Sequence, residues 1–239
     1  MIKFENTEVM GWEHAIRGMR NPMNSWNKSD SYWTYIEDPE TLQTANFAHF
    51  IGDNDLALMK RLRNAGTDHR KFMRMITVYV DITAPLYWWK EFDTYKIGTV
   101  ANSCSTMHKI HAKEFTLDDF SHEHLINDWS DERSLVGFLV GFEEYTNTAL
   151  EVLEFCLEAL NQLRKLYLET KDKKYWWQMI QLLPTSYNQK RTVMMNYEVL
   201  ANMYKSRKNH KLDEWVALCK WIESLPYSEL ITGKDDIDE

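Results

Sequence analysis

Arg207 and Asn196 are the polar residues that most invite a chemical reading. They fall in MMNYEVLANMYKSRKNHKLDEW, part of a segment whose pattern predicts a helix from about Asn188 to Ser206. At about 100° per residue the two lie within roughly 20° of each other, and Val193, Leu200 and Met203 share that face. A buried amide or guanidinium without a partner costs roughly several kcal/mol, so each must meet either another side chain of the fold or a bound polar ligand. A second cluster, Cys104, His108, His111, His122 and His124, holds half of the eight histidines. Sulfur and imidazole can ligate zinc, but the order Cys-x3-His-x2-His-x10-His-x-His matches no standard zinc pattern. Cys104 beside Ser105 could be a nucleophile, yet no basic residue adjoins it to lower its pKa, which favours an inert thiol. The run Lys205-Ser206-Arg207-Lys208-Asn209-His210-Lys211 could hold one phosphate and is too short to track a nucleic-acid polymer.

The elements that must position these groups read as one domain over residues 1–239, with a frayed acidic tail over 233–239. The first forty residues are rich in Asn, Ser and Trp without clean periodicity. A helix is predicted from Asp53 to Asn64, capped by Asp53 or Asn54, striped by Leu56, Met59 and Leu62, and stopped at Gly66. Residues 72–84 predict a strand with Ile76, Val78, Val80 and Ile82 on one face, ended by Pro85. The following LYWWKEF predicts a short helix that passes to a loop near Gly98. From Asp131 to Thr170, apolar residues at steps of three and four predict one helix of roughly 60 Å, or two in line, long enough to pack against another subunit. Lys171–Lys174 breaks it, and a last helix covers Leu212 to Ser224. The expected class is α/β (α+β), a small antiparallel sheet surrounded by long helices.

Composition bounds the function. The chain has 239 residues, 44 % of them apolar and 27 % charged, an ordinary balance for a folded core. No apolar run reaches the roughly 18 residues of a membrane span, and the N-terminus lacks a basic-then-apolar leader, so a membrane partner is excluded and a cytoplasmic location expected. Three widely spaced cysteines fit reduced thiols. A net charge of −8 repels nucleic acid. Ten tryptophans and twelve tyrosines fill cores first, and can also line pockets for flat heteroaromatic ligands.

Leu183-Pro184, followed by Asn196, Leu200, Asn202, Arg207, His210 and Trp215, resembles the C-terminal half of the flavin-dependent thymidylate synthases. His69 before a strand ending Ile82-Thr83-Ala84-Pro85 is similar to a flavin-contacting histidine of that family, and Asn102-Ser103-Cys104-Ser105 resembles its Asn-Glu-x-Ser. The likeness covers roughly residues 45–226, although 110–175 match only in being helical. It implies a homotetramer with FAD bound where subunits meet, reduced by NADPH, passing a one-carbon unit from methylenetetrahydrofolate to dUMP. Carried over, Arg207 and Ser105 are catalytic, and Ser103, Ser105, Thr106, Lys96 and Arg207 bind the nucleotide. His69, Tyr95, Lys96, Asn102, Asn196, Glu198 and Asn202 contact the flavin. No metal is implied, and redox chemistry falls to the cofactor.

The departures concentrate on basic residues. The family's Arg-His-Arg-x-x-Ser falls on Tyr95-Lys96-Ile97-Gly98-Thr99-Val100, or one residue earlier, where only Lys96 keeps a charge. Met107 stands where the family has an arginine two positions after Ser105, Ser103 replaces the glutamate, Glu198 replaces an arginine, and Met179-Ile180-Gln181 lacks the arginine before Leu-Pro. Each charged hydrogen bond to phosphate is worth roughly 1.5–3 kcal/mol, so Lys90, Lys96, Lys109, Lys190 or Arg191 must compensate for a nucleotide to bind. The alternatives are a relative acting on another pyrimidine, a non-catalytic binder, and, from another class, a zinc-binding or structural oligomeric protein.

Overall fold

A computed structural model describes residues 2–37, 44–132, 135–140 and 143–233. Its elements run β1 (Lys3–Met10), α1 (Trp12–Arg20), β2 (Tyr32–Glu37), β3 (Thr44–Phe50), α2 (Asp53–Asn64), β4 (Thr77–Pro85), α3 (Leu86–Phe92), β5 (Val100–Ser103) and α4 (Thr106–Lys109). There follow β6 (Val136–Val140), β7 (Glu143–Asn147), α5 (Ala149–Thr170), α6 (Lys173–Leu182), β8 (Asn188–Asn196), α7 (Tyr197–Arg207), α8 (Asp213–Glu223) and α9 (Glu229–Thr232). Four strands pair in the order β1-β4-β8-β5, and β2-β3 and β6-β7 form two further antiparallel pairs. This is the expected class, helices with a small antiparallel sheet.

Alternation and capping explain the elements that match expectation. In β4 the side chains of Val78, Val80 and Ile82 are buried, with Ile76 just before them, while Tyr79 is exposed. The strand begins at Thr77 rather than residue 72, because Lys71–Arg74 close a 3-10 turn. Helix α2 has the expected bounds, but its cap comes from elsewhere. The Asp30 carboxylate accepts from Asn54 N at 2.9 Å and Asp55 N at 3.1 Å. A Cβ on Gly52 would lie 2.2 Å from Asp30 Cγ, so glycine makes room for that cap.

Two expectations fail. The long helix over 131–170 is instead the β6-β7 pair followed by α5, whose 22 residues span about 33 Å. Helix α5 begins where Thr148 and Glu151 form a capping box, with Thr148 Oγ1 accepting from Glu151 N at 3.2 Å and Glu151 Oε2 from Thr148 N at 2.8 Å. A helix of that length no longer requires a neighbouring subunit. The helix over 188–206 is strand β8 and then α7, so Val193 and Asn196 do not share a helical face with Arg207. Val193 and Met195 are buried in alternation with less buried Thr192, Met194 and Asn196, the signature of a strand. The first forty residues contain β1 and α1. Most of the tail, residues 234–239, lies outside the described residues.

The described chain falls into two compact units. The first comprises Met1–Lys3, Ile82–Thr94 and Asn102–Arg191. Its core includes Ile110, Phe115, Phe120, Leu153, Leu157, Leu160 and Met179, with Trp88, Trp89 and Phe92 of α3 also buried in the unit. The second unit comprises Phe4–Asp81, Tyr95–Ala101 and Thr192–Glu239. Trp12 packs edge-on against Tyr197 at 5.3 Å between centroids, and the Tyr197 hydroxyl donates to Pro226 O. Asp55, fully buried, accepts from Arg20 Nε at 2.6 Å, Ser29 Oγ at 2.6 Å and Ser31 Oγ at 2.7 Å. Burial pushes the Asp55 carboxyl up. The two hydroxyls and the guanidinium together outweigh burial and hold it below the usual carboxylate range.

Candidate functional site

In the second unit, α7 and the loop over 95–99 carry five of the eleven expected site residues. Asn196 ends β8 and caps α7, its Oδ1 accepting from Val199 N at 3.0 Å. Gly98 lies directly on it: its φ is +76°, and a Cβ there would stand 2.8 Å from Asn196 Nδ2 and 3.0 Å from Val199 Cγ2. Only glycine lets this loop approach so closely. Arg207, half-buried at the end of α7, donates from Nε to the Tyr95 hydroxyl at 3.0 Å. Its guanidinium carbon sits 4.5 Å from the Trp215 ring centroid and 5.7 Å from that of Tyr95. His210 meets Trp215 edge-on at 6.1 Å. A planar cation held between aromatic rings keeps its orientation, and such contacts are worth roughly 0.5–2 kcal/mol. The structure thus brings Tyr95, Arg207, His210 and Trp215 together.

Glu198, where the family has an arginine, is buried in α7 and paired. Arg70 Nε stands 2.9 Å from Glu198 Oε2, and Arg70 Nη2 donates to Oε1 at 3.0 Å. The sequence reading missed Arg70, whose partner is far away along the chain; the only signal was its place beside His69. His69 itself is exposed, as are Lys96 and Asn202.

The first unit holds Asn102, Ser103, Ser105 and Thr106. Asn102 and Ser103 lie on β5 and are exposed; Ser105 caps α4, its Oγ accepting from His108 N at 3.1 Å. Backbone and side chain fix this stretch to β8, with Cys104 N donating to Lys190 O at 2.9 Å and Gln189 Nε2 to Cys104 O at 2.8 Å. A cavity of about 360 Å³ opens there, lined by Ser105, Thr106, Lys109, Lys113, Tyr187 and Lys190 among others. Lys113 donates to Asp119, which raises its pKa, and burial raises that of Tyr187. Lys109 and Lys190 also line this cavity. Arg191 is committed elsewhere: it donates to Asp93 at 2.7 Å and lies 4.1 Å over the Trp89 ring. Among the described residues, no three His, Cys, Asp or Glu side chains converge as a metal site requires, and no helix is long and apolar enough to cross a membrane.

No family model and no curated protein sequence matches the chain. Solved structures do. Flavin-dependent thymidylate synthase ThyX from Helicobacter pylori, complexed with FAD and dUMP, superposes with a TM-score of 0.62 over 97 % of this chain and 98 % of that one, at 17 % identity. The UMP/dUMP methylase PolB from Streptomyces cacaoi, bound with 5-Br dUMP, gives 0.56 over 98 % of this chain and 95 % of that one, at 13 % identity. Both matches run nearly end to end, and the architecture they share is the conclusion they support: this chain has the fold of the flavin-dependent thymidylate synthases.

Proposed function

We propose that the chain is a divergent flavin-dependent nucleotide methylase. It passes a one-carbon unit from methylenetetrahydrofolate to carbon 5 of a pyrimidine nucleotide, dUMP or a close relative, with FAD reduced by NADPH. The observation that carries this reading is the near full-length match to a structure complexed with FAD and dUMP. The proposal includes assembly as a homotetramer, with one domain per chain, in the cytoplasm.

The residues present fit a flavin in part. The ring edge of a flavin offers donors and acceptors that amides and imidazoles can meet, and His69, Asn102 and Asn202 are exposed groups of that kind. Tyr95 and Lys96 border the same loop. Asn196 and Glu198 are committed to Val199 N and to Arg70, which makes them supports of the site. FAD, when bound, would supply the hydride, and the chain's residues bind and orient the reactants. Arg207, fixed by Tyr95 and Trp215, holds the pyrimidine ring and stabilises negative charge at N3, a task suited to a cation that never deprotonates. Ser103, Ser105 and Thr106 contact the nucleotide, and Lys109 and Lys190 take over its phosphate from the missing arginines.

Flavin fluorescence quenching on the purified chain tests the reading. FAD is expected to bind more tightly than riboflavin, and dUMP with methylenetetrahydrofolate and NADPH to give a methylated nucleotide by mass spectrometry. A chain that quenches neither flavin overturns it. One that binds FAD and dUMP without turnover supports the second reading, a non-catalytic binder, which the replacement of an arginine by Met107 favours.

A further inference from the structure

A concavity of about 890 Å³ opens in the second unit, lined by the end of β1, the start of α1, the β2-β3 pair, the start of β4 and Pro226-Tyr227. None of its lining residues is a position carried over for flavin or nucleotide. Its volume lies in the roughly 300–1,000 Å³ range of small-molecule sites, and its surface is largely apolar. Trp33, Met10 and Met75 are 52 %, 40 % and 44 % exposed, so the described chain leaves this apolar wall uncovered.

The walls are fixed in place. Gly11, at φ +95°, turns β1 into α1 so close to the chain that a Cβ would lie 2.1 Å from Met75 O. Trp12 meets Tyr227 edge-on at 5.2 Å between centroids, and the Tyr227 hydroxyl accepts from Ile51 N at 3.3 Å. Across the β2-β3 pair Trp33 stands opposite His49, with their rings 5.0 Å apart. Trp33 Nε1 donates to Glu13 Oε2 at 3.2 Å.

Two carboxylates, Glu8 and Glu13, belong to this lining, and among the described residues no lysine or arginine does. Glu13 sits in the first turn of α1, where the helix dipole accounts for one acid. The dipole does not account for Glu8 on β1, nor for a polar atom left over: His49 Nδ1 is buried without a hydrogen-bond partner. Burial pushes the His49 imidazole below its usual range, against the pull of Glu13 and Asp55. The ring is therefore neutral at pH 7, and with its proton on Nε2 it offers Nδ1 as an acceptor. His14, the other imidazole of the lining, is exposed to solvent.

We propose that this cavity binds a small organic cation, an ammonium carried on a flat apolar body. Tryptophan and tyrosine rings attract such a cation through the negative potential of their faces, and the aromatic and thioether surface takes the apolar body. The carboxylates of Glu8 and Glu13 supply the opposite charge, and His49 Nδ1 accepts from an ammonium N–H. An anion would meet two like charges here, and a hydrocarbon would leave the imidazole nitrogen unsatisfied. The site stands without the methylase reading.

Isothermal titration of the full chain with phenethylammonium tests it, with phenylpropanoate, a similar body bearing a carboxylate, as the counter-probe. The ammonium is expected to bind saturably and at least about tenfold more tightly than the carboxylate. The Glu8→Gln, Glu13→Gln double variant should lose about tenfold for the ammonium, and Trp33→Ala should weaken it too, while Glu158→Gln on α5 leaves it unchanged. Circular dichroism checks that each variant is folded. Absence of saturable ammonium binding, equal affinity for the phenylpropanoate, undiminished affinity in either folded cavity variant, or an equal loss in Glu158→Gln overturns the proposal. A chain that binds the ammonium but no flavin keeps this site and loses the methylase reading.

Discussion

Two arginines of the second unit are held in opposite ways. Arg20 is 4 % exposed and each of its nitrogens is spent on the fold: Nε on Asp55, Nη1 on Ser25 O at 3.2 Å, Nη2 on Lys28 O at 3.1 Å. Arg207 is half-buried, its Nε on the Tyr95 hydroxyl and its guanidinium against the rings of Trp215 and Tyr95. A guanidinium sealed against a carboxylate serves stability. One braced by rings at a partly open position serves recognition, because bracing fixes direction without closing access.

Breaking the sealed side has the largest expected effect. Asp55→Ala strands Arg20 and should lower unfolding free energy by about 3–5 kcal/mol in urea titration. The folded chain holds the Asp55 carboxyl below its unfolded value, so its contribution is complete above the usual carboxylate range and is lost as pH falls through the lowered folded value. Asp55→Asn should therefore unfold with a shallower acid dependence than the parent, and an identical acid profile would refute the assignment. Arg207→Ala should leave the melting temperature nearly unchanged while weakening dUMP by about 10–100-fold, the loss of roughly 1.5–3 kcal/mol; a large drop in stability instead would move Arg207 to the class of Arg20. Lys190→Ala should weaken dUMP by about tenfold and deoxyuridine hardly at all, since only the former carries a phosphate. Smallest, Thr148→Ala removes the α5 cap and should cost about 1 kcal/mol without touching either ligand.

Elements with a clean hydrophobic period were legible from the residues alone. The Ile76–Ile82 alternation and the bounds of α2 and α8 are of that kind. Residues 131–170 misled because Leu135, Phe138 and Tyr145 happen to keep helical steps through a strand pair, whereas Thr148-x-x-Glu151 already marked the true start of α5. Asn196 and Arg207 were rightly singled out as polar groups needing partners, but their common face was an artefact of extending a helix back through β8. Their real partners, Val199 N for one and Tyr95 with Trp215 for the other, are set by a turn and by a loop distant in sequence. The Arg70–Glu198 pair was beyond reach for the same reason: no local pattern encodes it.

The loop over Tyr95–Thr99 bears on any attempt at reversion. With Tyr95 oxygen 3.0 Å from Arg207 Nε, an arginine engineered at position 95 would set one guanidinium against another, and Gly98 leaves no volume beneath the loop for the backbone to retreat into. Transplanting the basic signature of the family therefore requires re-engineering Arg207's surroundings at the same time, and single-site swaps should be poorer than the native chain.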